Sequence, residues 1–173
     1  MNAPSTIRSA RLVLRRPAAT DLPAYTAYCT GPRAQFVGGP YSAVQAVDKF
    51  AAMIGHWTLR GIGRYIITKD DIPIGHVGPL LLDETTAPEM TWTLWDSAYE
   101  GQGIASEAAR AVVDGIIGVP IYHIHVLPEN LASIRVAEKI GAQREDTAPP
   151  AWMPKALNFK LITRSPAELA NEC

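Results

Sequence analysis

Two glycines, one residue apart where a strand-like run meets a helical pattern, carry the strongest chemical signal in the chain. The stretch reads Tyr99-Glu100-Gly101-Gln102-Gly103-Ile104-Ala105-Ser106-Glu107-Ala108, with the run Met90–Trp95 before it and an alanine-rich segment after it. Such a turn points several backbone N–H groups into one concavity at a helix N-terminus, a setting for an anion and above all for a pyrophosphate. Glycine suits the turn because a Cβ would restrict φ and hold a phosphate away. The helix macrodipole adds about 0.3–1 kcal/mol for an anion at its start. Without a ligand, the same residues make only a tight β-to-α turn.

Other residue types point less far. His123 and His125 alternate with Tyr122, Ile124 and Val126, so they share one side of a strand. No neighbouring Cys or carboxylate cluster completes a metal site, so structural histidines are expected and no metal. His56, beside Trp57, is expected on a helix surface. His76, in Gly75-His76-Val77-Gly78, either lines a cleft or packs within a strand. The two cysteines, Cys29 and Cys173, stand far apart, and neither is placed like an activated nucleophile. They suggest no disulfide framework and no zinc site, which fits a reducing cytoplasm.

The elements that must position these residues follow from composition and pattern. The chain has 173 residues and is 47% hydrophobic, enough for one domain over residues 1–173. A net charge of −1 and a pI near 6.4 recommend neither nucleic acid nor an anionic membrane as a partner. Met1–Ser9 lacks an apolar signal core, and no run is long enough to span a bilayer.

Arg11–Arg16 alternates as a strand, and Thr20 or Asp21 opens a short helix to about Cys29. Gly31–Pro40 reads as a loop. Ser42 and Gln45 form a capping box for a helix whose stripe is Val47, Phe50, Ala51, Ile54 and Trp57. That helix ends near Gly61–Gly63. Strands follow at Tyr65–Lys69 and Ile74–Leu82 around the turn Asp70-Asp71-Ile72-Pro73, and then at Glu89–Trp95. A helix runs from about Gly103 to Ile117 with Ile104, Ala108, Val112 and Ile116 on one face. Ile121–Val126 is a strand. Asn130 caps a helix bearing Ile134, Ala137 and Ile140 and ended by Gly141. Ala142–Glu145 and Leu157–Thr163 close the pattern around a proline-rich loop, Ala148–Pro154. The order is β-α-α-β-β-β-α-β-α-β-β. It predicts an α/β (α+β) fold: a mixed, mostly antiparallel sheet with helices on both faces. The strands on either side of the glycine-loop helix should form a parallel pair with a right-handed crossover.

This order and these motifs resemble the GNAT superfamily of N-acetyltransferases, and more nearly its RimJ/RimL-like branch, which includes ribosomal-protein N-terminal acetyltransferases. The resemblance runs from about Ile7 to Arg164. The opening Arg11-Leu12-Val13-Leu14-Arg15-Arg16-Pro17 looks like that branch's usual start. The family's loop, Gln/Arg-x-x-Gly-x-Gly/Ala, stands here as Glu100-Gly101-Gln102-Gly103-Ile104-Ala105. Its Asn-x-x-Ser motif stands as Asn130-Leu131-Ala132-Ser133. Glu100 departs from the Gln or Arg of the family. A carboxylate near a pyrophosphate repels it by roughly 1 kcal/mol at about 4 Å in water, and no Lys or Arg between Asp96 and Ala109 offsets it. Either that repulsion is real or the Glu100 side chain points to solvent.

The resemblance implies acetyl-CoA as co-substrate and acetyl transfer to a primary amine, by direct attack on the thioester through a tetrahedral intermediate. It implies cofactor contacts from Trp95, Glu100, Gly101, Gln102, Gly103, Ile104, Ala105, Ser106, Asn130 and Ser133. Strand backbone near Trp92–Trp95 would grip pantetheine amides and stabilise the oxyanion. Asn130 would bond the pantetheine arm, cap its own helix, or do both. Ser133 would protonate the departing thiolate, or bond a carbonyl of its own helix. Tyr99 and Tyr122 are the alternative acids. Glu89 is the general-base candidate, one residue from the register that counting back from Gly103 gives, which falls on Met90; one residue reverses a strand's face. A base matters most for lysine, of pKa about 10.4, and less for an α-amine, of about 7.7–8.0. Arg135 and Lys139 either bind the adenosine 3′-phosphate or form a solvated helix face.

The acceptor is a small-molecule or peptide amine, chosen by loops such as Phe36–Tyr41 and Ala148–Met153. Exposed edge strands would support a homodimer. The alternative class is a non-catalytic acyl-CoA-binding sensor or interaction module, which needs the glycine loop and Asn130 but neither Glu89 nor Ser133. The loop lacks both the Gly-Lys-Ser/Thr of a phosphate-binding ATPase loop and the three-glycine dinucleotide pattern.

Overall fold

The first strand pair shows how the chain begins its sheet. Ile7 and Leu14 face each other across a short hairpin and are both buried. The computed structural model describes residues 3–81 and 86–163. Its strands are β1 (Thr6–Arg8), β2 (Val13–Arg15), β3 (Tyr65–Lys69), β4 (Ile72–Leu80), β5 (Glu89–Leu94), β6 (Ile121–Val126), β7 (Gln143–Glu145) and β8 (Leu157–Ile162). Its helices are α1 (Leu22–Thr30), α2 (Ala43–Arg60), α3 (Ile104–Gly115) and α4 (Leu131–Lys139). The strands form one sheet in the order β1-β2-β3-β4-β5-β6-β8-β7. Every neighbouring pair is antiparallel except β5 and β6, which are parallel across α3. The expected mixed, mostly antiparallel sheet with one parallel pair is therefore what the chain forms.

Strand alternation separates two cores. Tyr65 and Ile67 of β3 join Met90, Ile104, Ala108, Val112 and Tyr122 on the α3 face. Ile66, between them, joins Tyr25, Tyr28, Phe50, Met53 and Trp95 on the α1–α2 face. The predicted α3 stripe, Ile104, Ala108, Val112 and Ile116, is buried throughout.

Several local expectations are corrected. β1 was unforeseen, and the single strand expected over Arg11–Arg16 shortens to β2 beside it. The turn after β3 is two residues long: Asp70 and Asp71 both take positive φ, 51° and 62°, so Ile72 and Pro73 belong to β4. Leu82, expected at the end of that strand, lies outside the described residues. Asp21 stands at the N-cap position of α1 as expected, but its side chain makes no bond to that helix. Its buried carboxylate takes both Arg15 guanidinium nitrogens, at 2.8 and 2.6 Å, and the Ala18 N–H at 2.9 Å. The buried stripe of α2 is Ala46, Phe50, Met53 and Trp57, whereas Val47 is 46% exposed and Ala51 is exposed. The stripe is rotated because Ala46, the smaller side chain, fits wholly within the α1 cluster. A short 3-10 segment, Pro32–Val37, lies within the expected loop Gly31–Pro40.

One feature of the sheet positions the site. Glu89 and His123 are the one registered pair between β5 and β6 among the described residues. The rest of β5 pairs with β4, and all of β6 pairs with β8. From Glu89 onward the two strands diverge and leave a gap in the sheet.

Candidate active site

The glycine turn is assembled where β5 stops. Trp95 N–H donates to Ile74 C=O at 2.8 Å, and Asp96 caps a 3-10 turn, Ser97–Tyr99, by accepting from Ala98 N–H. Gly101 and Gly103 then take φ of 71° and 74°, a region costly to residues with a Cβ. No side chain caps α3. Its first backbone bond runs from Glu107 N–H to Gly103 C=O, so the N–H groups of Ile104, Ala105 and Ser106 precede the ladder. α2 and α4 differ: Ser42 accepts from Gln45 N–H, and Asn130 Oδ1 accepts from Ser133 N–H at 3.1 Å.

Cations converge on this turn from distant parts of the chain. A Cβ built on Gly103 would lie 3.7 Å from Lys139 Nζ and 3.9 Å from an Arg11 guanidinium nitrogen. Arg11 also donates to Gln102 C=O at 3.0 Å and pairs with Glu107. Burial alone would raise the Glu107 carboxyl, but hydrogen bonds from Ser9 and Arg11 outweigh it and hold the group below its ordinary value. Glu100 is also answered. Arg33 lies 2.6 Å from its carboxylate and donates to Leu94 C=O as well. The local stretch offers no such cation; it comes from 67 residues upstream. Lys139 stands at the turn, while Arg135 is exposed on the same helix.

Along α4, Ser133 and Lys139 are six residues apart, about 9 Å along the helix axis. Ser133 therefore marks the deeper end of a path that begins at the turn. Its Oγ accepts from Trp92 Nε1 at 3.2 Å. That bond leaves the hydroxyl proton free to be donated elsewhere. Asn130 caps through Oδ1, so its amide nitrogen remains available as a donor, and the two roles weighed for it are compatible. Tyr122, the alternative acid, is buried in the α3-side core and does not line the cleft. Tyr99 packs against the same core. The Trp95 side chain lies in the other core, where its indole N–H donates to His76 Nδ1 at 2.9 Å, so only its backbone is left to meet a ligand.

Through the β5–β6 gap this path joins a cavity of about 770 Å³ on the α1–α2 face. That volume is in the range of small-molecule sites. Glu89, 9% exposed, stands on its wall at the start of β5 as expected, while Met90 points into the α3-side core. His125 Nδ1 lies 3.3 Å from Glu89 Oε1 and makes no hydrogen bond, and its ring meets Trp152 edge-on. Parallel pairing brings the two together: Glu89 is opposite His123, and His125 is the next residue on that face. Parity on the two strands is the signal that could have found this pair, in place of the purely structural role expected for His125.

The rest of the lining combines Tyr25 and Tyr28 of α1, Lys49 and His56 of α2, and, from the same sheet as Glu89, Arg64 at the entry to β3 and His76 of β4. His56 therefore faces the cavity rather than the outer surface. Burial, then the nearby arginines Arg64 and Arg60, push its imidazole below the ordinary value. Burial, then Arg64, push His76 well below it, so it is a neutral acceptor for Trp95 and lines the cavity as well as packing. Burial raises the Tyr28 hydroxyl to about 12, and it stays protonated. Gln35–Gly38, Tyr41 and Trp152–Lys155 complete the rim, so parts of both loops expected to choose the acceptor do line the cavity. Among the described residues, no group of three His, Cys, Asp or Glu could hold a metal, and no helix is long and apolar enough to cross a membrane.

An uncapped, glycine-turned helix start, suited to an anion, beside a parallel strand pair joined at one registered pair defines the class of domain. Comparison with known proteins gives that class its family. Residues 11–143 match the acetyltransferase (GNAT) domain. The uncharacterized N-acetyltransferase YnaD of Bacillus subtilis (strain 168) is 33% identical over 85 residues. That match spans 46% of this chain and about half, 48%, of the relative. The crystal structure of an acetyltransferase from Agrobacterium tumefaciens str. C58 superposes with a TM-score of 0.83 at 32% identity, covering 93% of this chain and 95% of that one. RimL, a ribosomal L7/L12 alpha-N-protein acetyltransferase solved in complex with coenzyme A, shares the fold: TM-score 0.76, 20% identity, 91% and 98% coverage. The chain belongs to the GNAT acetyltransferase family.

Proposed function

We propose that this chain, as one domain of the RimJ/RimL-like branch, transfers an acetyl group from acetyl-CoA to a primary amine. The observation that carries the reading is the uncapped start of α3, with cations converging on it, in line with the β5–β6 gap that leads to Ser133 and Glu89. The N–H groups of Ile104, Ala105 and Ser106 would hold the diphosphate, with Gly101 and Gly103 supplying the turn and Lys139 a charge. The backbone of Thr91–Leu94 on the β6-facing side, and the Asn130 amide, would hold the pantetheine arm. Acetyl-CoA supplies the activated thioester, and the chain positions it.

An amine arrives from the cavity as an ammonium and must lose a proton before it attacks. Glu89, with His125 3.3 Å away, takes that proton. The C–N bond forms to give a tetrahedral intermediate; as its C–S bond breaks, Ser133, its oxygen held by Trp92, passes its proton to the leaving thiolate and is reprotonated by the proton that the new amide nitrogen loses. Much of the acceleration comes from holding amine and thioester together, and strand N–H groups stabilise the developing oxyanion.

The competing reading is a non-catalytic acyl-CoA-binding module. Thiol release measured with acetyl-CoA across amines and N-terminal peptides separates the two. Steady turnover with one acceptor class supports transfer. Coenzyme A binding without turnover on any amine supports the module.

A further inference from the structure

Resting on the reading above, we propose that the acceptor is a small amine that also carries an anionic group, a carboxylate or phosphate, which Arg64 binds while Glu89 receives the amine. Both residues line one cavity without forming an ion pair: burial lowers the Arg64 pKa, and Glu89 opposes that only through space. Among the described residues, no carboxylate lies within ion-pair distance of the Arg64 guanidinium, and the side chain makes no hydrogen bond. The backbone of Arg64 is fixed at the entry to β3 by the Trp57 indole, which donates to its carbonyl at 2.9 Å. A half-buried guanidinium with no carboxylate in contact with it favours an anionic ligand.

The rest of the wall agrees. Lys49 and Lys155 add two cations at the rim, and Glu89 is the one carboxylate among the lining residues. Lys49 lies 4.2 Å over the Tyr41 ring, itself part of the lining. His56 and His76 are held toward the neutral form by burial and by Arg64, so they contribute polar contacts rather than charge. A polycationic amine would meet repulsion from three sides. A zwitterion meets a carboxylate on β5 and a guanidinium two strands away at the entry to β3, a two-point fit that orients the nitrogen. The volume suits a small molecule.

The test is a matched acceptor series assayed by thiol release with the full chain: an amine bearing a carboxylate, its phosphonate counterpart, its neutral amide, and a diamine of the same length. The expected order is anion over amide over diamine, with kcat/KM for the better anion exceeding the amide by roughly tenfold or more. The two anionic arms tell carboxylate from phosphate. Arg64→Gln should bring the anion-to-amide ratio toward one by raising KM for the anion, and Arg64→Lys should restore part of it. An amide or diamine that equals the anions overturns the proposal. So does an Arg64→Gln variant that lowers every acceptor by one factor, or an N-terminal peptide that outperforms every small amine. Calorimetry of the same amines against the chain saturated with coenzyme A keeps the two readings apart. Anion-selective binding without turnover upholds the chamber and overturns the transferase assignment. No anion-selective binding overturns the chamber.

Discussion

Glu100 and Glu107, beside the glycine turn, are each held by an arginine, whereas Arg64, on the cavity wall, is held by no carboxylate among the described residues. The two ends of the cleft thus treat charge in opposite ways. At the turn, paired side chains cancel and leave unbonded backbone N–H groups as the binding surface. In the cavity, fixed opposite charges stand unpaired on one sheet face, two strands apart. In the proposed reaction the cofactor would be met by main chain, and the acceptor by side chains, which can change without disturbing the fold.

The largest expected effects lie between the two ends. Glu89→Gln should lower kcat by about 100-fold, since it removes the proton acceptor at the cavity wall. Coenzyme A affinity, read by calorimetry, should change little. Ser133→Ala should lower kcat by about tenfold and raise KM for acetyl-CoA much less. A large KM effect with steady kcat would move Ser133 from the reaction to binding alone.

A second comparison is read in stability. His76 is neutral in the folded chain because burial and Arg64 push its imidazole well below 6.5. The unfolded chain protonates it below about pH 6.5. In that range the unfolded state binds more protons, so stability falls as pH drops, while above it the two states match and the full stability is present. His56 shifts in the same direction. The urea midpoint should therefore fall between about pH 7 and about pH 5, and less so in His76→Gln, whose side-chain oxygen can still accept from Trp95. An equal slope in both proteins would assign the pH dependence elsewhere.

The smallest effect tests charge cancellation at the turn. Glu100 is 54% exposed and answered by Arg33 at 2.6 Å. Glu100→Gln should change KM for acetyl-CoA by less than about twofold. Arg33→Met, which uncovers the carboxylate, should raise it by up to about fivefold, and the double variant should return toward Glu100→Gln. Independent, additive effects would show that Glu100 does not act on the phosphate site.

These regions also differ in how far they could be read from residues alone. Gly101, Gly103, Asn130 and the strand–helix–strand around them are contiguous, and their turn, capping and parallel pairing follow from local chemistry. Arg33 answering Glu100, Arg11 and Lys139 meeting at Gly103, and Arg64 facing Glu89 all depend on tertiary packing across long separations. No local pattern encodes them. The α2 stripe failed for a related reason. Val47 and Ala51 fit the helical period, but the α1 cluster takes up Ala46 and Met53 instead. His125 was legible only through the parity of two paired strands, which the register of β5 against β6 supplies.

The most direct test of the account is a calorimetric titration of coenzyme A into the unmodified chain and into Gly103→Val. The account predicts saturable binding to the unmodified chain and an affinity lower by at least about tenfold in the variant, because valine disfavours the φ that opens the N–H groups of α3. Absence of binding to the unmodified chain, or equal affinity in the two, would contradict it.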